Sequence, residues 1–267
     1  MVSKLALLVV LLIAPCSALA DRPSLAPEAS EFLQWYKGYK GSFYPEEVLK
    51  AYREQLAGKG MAQAEAEWRV GVVRDAIRAM PVEFTAVHFD RIYSASNPPF
   101  RLEPSQFVTR IAEGLKPGTA LDVAMGQGRN AIYLARKGWN VTGYDISEQG
   151  IEIAQSHARE QGLTLRTVRA THDEFDYGKD RWDLIVETFA FTNLSDAAYR
   201  KRLLDSLKPG GVLLIEGFGG PAPEAGQKNV MLDSFKDWRV IYFEDRMDVA
   251  DWSMQKARIT RIAVQKD

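Results

Sequence analysis

Two hydrophobic rhythms divide the chain. Between Pro27 and Met80 the pattern is helical: Ala62 to Met80 is rich in Ala, Glu and Arg, and Trp68, Val72, Val73, Ile77 and Met80 fall near one face. Pro45-Glu46-Glu47 opens a helix, with proline where a missing N–H costs nothing and acids where the helix dipole favours them. Pro81 is expected to start a further helix running through Tyr93. The aromatic cluster Trp35, Tyr36, Tyr39, Phe43 and Tyr44 is read as docking appended helices onto a core, with a substrate-pocket lining as the alternative.

Beyond Ser94-Ala-Ser-Asn-Pro-Pro-Phe100, a loop by its composition, short apolar runs alternate with amphipathic segments, the signature of a parallel α/β sheet. Strands are expected at Thr119–Ala124, Asn140–Asp145, Thr164–Ala170, Trp182–Glu187 and Gly211–Gly217. Helices are expected between them at about Asn130–Lys137, Glu148–Gln161 and Asp196–Leu207. The last two strands, Trp238–Glu244 and Arg258–Val264, are joined by a short segment with loop-like Asp, Met and Trp, so they should pair antiparallel. The fold class is α/β: a doubly wound, seven-stranded, mostly parallel Rossmann-like sheet with an antiparallel C-terminal strand pair and an N-terminal helical extension.

The chain has 267 residues, 46% hydrophobic and 26% charged, enough for one large core. Its first residues add a separate signal. Lys4, the apolar run Leu5 to Ala14 and an Ala-x-Ala site at Ala18 and Ala20 describe a cleavable secretory segment, too short to span a bilayer. The expected organisation is therefore a signal peptide over residues 1–20, a helical extension or lid over 21–100 and a ligand-binding domain over 101–267. Such a chain is exported, periplasmic or secreted, and has no stable membrane span after cleavage; with the signal unused it stays cytoplasmic. Net charge is -1 with no Lys/Arg block, which argues against nucleic acid as a partner. The single cysteine, Cys16, lies in the leader, so the cleaved chain has no disulfide, thiolate metal site or cysteine nucleophile. His88, His157 and His172 lack ligand spacing, and no metal is expected.

The chemistry gathers where Ala120-Leu-Asp122-Val-Ala124 runs through Met-Gly126-Gln-Gly128 into Arg-Asn130-Ala-Ile-Tyr-Leu134. Glycine permits positive φ and close backbone approach to a ligand, and the helix start offers unpaired N–H groups. Asp145 closes the next strand and is placed to accept hydrogen bonds from both hydroxyls of a ribose. The same turn satisfies the dinucleotide pattern Gly-x-Gly-x-x-Gly/Ala, so an NAD-dependent oxidoreductase is a rival. Asp122 within the strand, the helical segment before the turn and the antiparallel finish favour S-adenosylmethionine (SAM) instead.

From Phe89 to Asp267 the sequence resembles the class I SAM-dependent methyltransferases, and within them the small-molecule group related to tellurite-resistance and thiopurine methyltransferases. The residues carrying the resemblance are Phe89-Asp-Arg-Ile-Tyr93, Glu103-Pro-Ser-Gln-Phe107, the run Ala120 to Ala135, Gly138-Trp-Asn-Val-Thr-Gly-Tyr-Asp-Ile-Ser147, Asp183-Leu-Ile-Val186 and Leu207-Lys-Pro-Gly-Gly-Val-Leu-Leu-Ile215. The resemblance implies that Asp122 and the Gly126/Gly128 backbone surround the methionine part of SAM, that Asp145 takes the ribose and that Ile146 packs on adenine. It also implies an adenine amino contact after the third strand, among Thr171, His172 and Asp173, where Asp173 and Thr171 align equally well with the family's acid. Ala124 replaces the family's first glycine, which implies an adjusted fit.

Arg129 has two readings, a partner for the methionine carboxylate or an exposed first-turn residue; Asn130 beside it joins the cofactor-binding set. Glu187, at the end of the fourth strand, is a candidate to orient the acceptor, contact the methionine ammonium or act as general base. Tyr93 and Arg101 flank the Ser/Asn/Pro loop as lid or structural residues, and Tyr93 joins Glu187 as a catalytic candidate. The resulting expectation is methyl transfer from SAM to a small-molecule acceptor by direct displacement, the acceptor being a thiol, an amine or lipid head group, a carboxylate or an oxyanion. A non-catalytic SAM- or nucleoside-binding protein is the alternative from another class. The sulfonium is already activated, so positioning and exclusion of water can supply most of the rate without a visible catalytic motif.

Overall fold

The computed structural model describes residues 26–79, 81–220 and 229–267; the signal-peptide reading of residues 1–20 lies outside them. The chain divides into two compact units, the first ending at Ala95 and the second spanning Ser96–Asp267.

The first unit contains α1 (Pro27–Gly38), α2 (Pro45–Gly58), α3 (Gln63–Ala79) and α4 (Pro81–Tyr93). α1 and α2 start without a side-chain cap, and the fixed φ of Pro27 and Pro45 together with first-turn acids favours initiation there. The buried stripe of α3 is Ala66, Val70 and Val73, with Ile77 packed against it. Trp68, expected on the apolar face, lies off this stripe and is 57% exposed. Tyr36 stacks on Phe32 at 5.4 Å and on Phe84 at 5.6 Å, which docks α1 onto α4. Its hydroxyl pairs with Nδ1 of His88 at 2.8 Å. Burial holds the His88 pKa down at about 3, so the ring is a neutral core partner. The aromatic cluster thus packs helices together, while Trp35 and Tyr39 also border an open groove of about 480 Å³ with Glu54 and Lys59.

The second unit is built on β1 (Thr119–Val123), β2 (Asn140–Asp145), β3 (Arg166–Arg169), β4 (Trp182–Thr188), β5 (Leu207–Phe218), β6 (Arg239–Val249) and β7 (Lys256–Gln265). They form a seven-stranded sheet in the order β3-β2-β1-β4-β5-β7-β6. The first five are parallel and β6 and β7 pair antiparallel, as the sequence predicts; β7 also runs antiparallel to β5. Its helices are α5 (Gln106–Ala112), α6 (Arg129–Arg136), α7 (Glu148–Glu160), α8 (Ala197–Ser206) and α9 (Val230–Ser234).

Several features depart from the predicted elements, among them β5, which starts at Leu207 and not at Gly211. Short helices α5 and α9 were not expected; each is nucleated by a cap, Ser105 Oγ accepting from the N–H groups of Phe107 and Val108, and Asn229 Oδ1 from those of Met231 and Leu232. In addition, β6 continues past Glu244 to Val249. Its Asp245 and Asp248, which read as loop residues, are held on this edge strand by Arg258 at 2.6 Å and Arg261 at 3.0 Å from β7. No described helix is long and apolar enough to cross a membrane.

Strand pleating sorts the side chains. Leu121, Val123, Tyr144, Ile185, Leu213 and Ile215 join one core layer, with Tyr177 and Tyr199. Ala120, Val141, Leu184, Val186 and Leu214 join the other, with Phe107, Val108, Ala131 and Leu134. Continuing the alternation to the C-terminal strand ends places Asp122, Asp145, Thr188 and Glu216 on the α5/α6 side and Glu187 on the tyrosine side.

Candidate active site

The segment after β1 holds three left-handed residues, Ala124 at φ 50°, Gly126 at 54° and Gly128 at 74°. Gly128 is the N-cap of α6 and makes no side-chain cap bond. A Cβ there would stand 2.9 Å from the Cβ of Ala154 on α7, so positive φ and helix packing both require glycine. Asp122 reaches across from β1 to accept the Ala131 N–H, capping α6 from a neighbouring strand. Its Oδ2 is buried without a hydrogen-bond partner among the described residues. Burial pushes the Asp122 carboxyl up to about 7, against the Ala131 N–H and the charge of Arg129, with the charge of Asp145 adding to the rise.

Asp145 is equally buried and fixes the turn. Its Oδ2 accepts the Gly126 N–H at 2.8 Å and its Oδ1 accepts the Ser147 N–H at 2.8 Å. Ser147 in turn caps α7 through Gly150, and the half-buried Ile146 lies between these two anchors. Asn130 is a tie between elements: its Oδ1 accepts the Ser105 N–H at 2.9 Å and its Nδ2 donates to Thr188 Oγ1 at 2.9 Å. Arg129 donates to Asp251 Oδ2 at 3.0 Å and to the Glu103 carbonyl at 3.1 Å, and Arg101 Nε lies 3.0 Å from the other Asp251 oxygen. Only 15% of the Arg129 side chain is exposed, which does not fit an open first-turn residue.

The residues after β3 separate. Thr171 and Glu174 close a turn on each other, Thr171 N–H to Glu174 Oε2 at 3.0 Å and Glu174 N–H to Thr171 Oγ1 at 3.2 Å. Asp173 is exposed and pairs with Arg202 of α8 at 2.9 Å. His172 turns inward between the Tyr144 hydroxyl, 2.8 Å from Nδ1, and the Ala190 carbonyl, 3.2 Å from Nε2. Burial lowers its pKa to about 4 and leaves it neutral.

Glu187, one residue before the end of β4, pairs with Val123, the last residue of β1. It is 2% exposed. The Thr192 hydroxyl bonds to Oε1, and the Tyr199 hydroxyl lies 2.9 Å from Oε2. Burial raises this carboxyl to about 7, with the two hydroxyls opposing the rise. Phe189 and Phe191 follow at φ 52° and 56°, a backbone conformation that is costly for bulky residues. Sequence reasoning missed Thr192, Tyr199, Tyr177, Tyr144 and Asp251 as neighbours of this region. The one available signal was Tyr144, a hydroxyl inside a strand covered on both faces, which must find a partner. Tyr93, the other catalytic candidate, ends α4 in the first unit, buried and stacked on Phe89 at 5.9 Å.

Residues 120–211 match the family described as "Methyltransferase domain". A ubiquinone biosynthesis O-methyltransferase of Caulobacter vibrioides is 32% identical over 105 residues, covering 39% of this chain and 40% of that protein. A probable S-adenosyl-L-methionine-dependent methyltransferase TehB of Haemophilus influenzae is 25% identical over 151 residues, 52% of each chain. The chain spans about half the length of the curated relatives it matches. The crystal structure of TehB from Haemophilus influenzae superposes with a TM-score of 0.53 at 22% identity, covering 68% of this chain and 67% of that one. The fold is that of the class I SAM-dependent methyltransferases.

The second unit presents groups that fit SAM. Asp122 Oδ2 is a buried acceptor lacking a donor, and an ammonium group supplies one. Asp145 accepts backbone N–H groups on both oxygens, and a carboxylate is an acceptor of the kind that ribose hydroxyls require. Ala124 follows the left-handed path a glycine would take, at a strain of roughly 1–2 kcal/mol.

Proposed function

We propose that this chain transfers a methyl group from SAM to a small-molecule acceptor, and that Glu187 receives the proton the acceptor gives up. The observation carrying the reading is Asp122. A buried carboxyl with one unpartnered oxygen, beside a glycine turn and one strand from a second buried acid, suits a ligand bearing both an ammonium and a ribose. Bound SAM supplies an activated methyl on its sulfonium. Asp122 holds the ammonium and Asp145 the ribose, while the Arg129–Asp251–Arg101 cluster holds the segment before α5 against the β6–β7 turn. Glu187 suits an acceptor whose nucleophilic atom carries a proton, so among the acceptor classes a thiol or an amine is favoured over a carboxylate or a preformed oxyanion.

Titration calorimetry with SAM, S-adenosylhomocysteine and NAD tests the cofactor. SAM and its demethylated product should bind; NAD binding without SAM binding overturns the reading. Radiolabelled methyl transfer into cell and envelope extracts should appear with the wild type and vanish in Asp145→Ala. SAM binding without any transfer would instead favour a non-catalytic binding protein, the reading to which Ala124 in place of glycine lends some weight.

A further inference from the structure

β6 is the outermost strand on one side of the sheet and, among the described residues, pairs with β7 alone. It runs for 11 residues, and none of them is buried. Such an edge presents a row of N–H and C=O groups that can template pairing with another strand. The large apolar side chains left exposed among the described residues gather beside it. Val230 and Leu232 on α9, Ile241, Met247 and Val249 on β6 and Met254 in the turn after it are all exposed, Met247 by 57%, whereas Trp68 and Leu102 lie elsewhere in the chain. A concentration of apolar surface along an open edge marks an interaction site.

The order of residues on the strand selects the partner. When two copies of one strand pair antiparallel about a twofold axis, opposed side chains share a face of the sheet, so the axis passes through a residue position. With the axis at Asp245, Glu244 opposes Arg246 of the second copy, Phe243 opposes its Met247 and Tyr242 opposes its Asp248, and each pair occurs twice. Ile241 comes to Val249 at either end, where the bulge between Val240 and Tyr242 closes the pairing. Moving the axis to Glu244 or to Arg246 sets like charges against each other. Moving it to Phe243 or Met247 shortens the overlap and leaves one exposed end uncovered. Asp245 would oppose its own copy, but its carboxylate is turned inward, 8% exposed, and is held by Arg258 at 2.6 and 2.9 Å and by Asn229. That bond to Asn229 also brings the start of α9 to the axis, so the exposed Val230 and Leu232 meet their counterparts there.

We infer that the chain forms a twofold dimer by antiparallel pairing of β6 with β6 of a second copy, centred on Asp245, which joins the two sheets edge to edge. Within one chain Arg246 lies between Glu244 at 3.4 Å and Asp248 at 3.2 Å, and Arg261 of β7 already neutralises both acids at 2.6 and 3.0 Å. The charges on this edge are therefore balanced and do not repel a second copy.

Sedimentation equilibrium of the full chain at micromolar concentrations should give twice the mass of one chain. Arg246→Glu turns both attractive pairs into repulsive ones and should weaken the dimer roughly 30-fold, whereas Arg246→Lys should hold it within about threefold. Met247→Lys should weaken it roughly 10-fold, because it sets a charge against Phe243 on the paired edge. Trp68→Lys, which removes an equally exposed apolar group from α3, should change nothing. Hydrogen exchange on the wild type needs no variant to fold: alternate amides between Tyr242 and Val249 should exchange more slowly as concentration rises. The register is read from nitroxide labels on Met247→Cys in a Cys16→Ser background, whose attachment points should lie about 14 Å apart, four residues along the paired strands. A monomeric wild type, a dimer indifferent to Arg246→Glu and Met247→Lys, or exchange rates in β6 that ignore concentration overturns the inference. Labels in direct contact, which put the axis at Met247, overturn the pairing centred on Asp245.

Discussion

Replacing Glu187 by glutamine should make this protein more stable at alkaline pH while changing little in acid. The carboxyl has an ordinary pKa of 4.5 in the unfolded chain and about 7 in the folded one. Below the lower value both states carry the proton and no penalty exists. Between the two, the unfolded chain releases its proton and the folded chain retains it, so stability falls as pH rises, and above pH 7 the whole cost is present. At about 1.4 kcal/mol per unit the difference is roughly 3 kcal/mol, of which about 2.5 kcal/mol accrues between pH 5 and pH 8. Glutamine removes the charge: its carbonyl keeps one of the two hydroxyl donors, Thr192 or Tyr199, and the other hydroxyl turns to accept from its amide. Urea unfolding of both proteins at pH 5, 6, 7 and 8 should give curves that diverge with pH, the variant gaining at the alkaline end. Parallel pH profiles, or a variant less stable than wild type at pH 8, would refute the reasoning.

Asp122→Asn should weaken SAM binding at pH 8 by roughly 10- to 100-fold, the worth of a charge-assisted bond to a buried acid, with the α6 cap kept by the amide oxygen; calorimetry against the wild type reads it. Ala124→Gly should relieve about 1 kcal/mol of left-handed strain and return most of it as unfolded-state entropy, leaving thermal stability equal or slightly higher. Gly128→Ala meets both positive φ and the Cβ of Ala154 at 2.9 Å, and should lower stability by about 2 kcal/mol in the same thermal scans. N-terminal sequencing of protein expressed from Met1 should begin at Asp21; a chain starting at Met1 would refute the export reading.

Parallel strands covered on both faces read as apolar runs, and for that reason β1, β2 and β4 stood out in the sequence to within a residue or two. The edges were harder. β3 is two residues shorter at its start than its apolar content suggests, and β6 is longer because ion pairs replace hydrophobic contacts on the outermost strand. The cofactor turn was legible because its parts are adjacent in sequence: Asp122, Gly126 and Gly128 lie within seven residues, with Asp145 at the end of the following strand. The side chains gathered behind Glu187 were not. Tyr144, His172, Tyr177 and Tyr199 come from β2, the segment between β3 and β4, and α8, and only packing brings these polar groups together. Asn130 shows the converse, a residue at a motif position whose amide is spent on tying α5 to β4.

The pleat has a kinetic consequence. Asp122 and Glu187 both titrate near pH 7, yet they stand on opposite faces of adjacent strands and respond to different neighbours: Ala131, Arg129 and Asp145 for the first, Thr192 and Tyr199 for the second. Neither acid appears among the causes of the other's shift, so the two ionisations should be independent. Binding an ammonium requires Asp122 ionised, whereas accepting a proton requires Glu187 ionised. At limiting SAM both conditions apply, so the logarithm of kcat/KM for SAM should rise with a slope of about two as pH approaches 7 from below. At saturating SAM the ligand holds Asp122 ionised, only Glu187 remains to titrate, and the logarithm of kcat should rise with a slope of about one. Asp122→Asn should reduce the first slope to about one and leave the second unchanged. Equal slopes for the two parameters in the wild type would show that the acids act as one coupled pair, and would contradict their separation across the sheet.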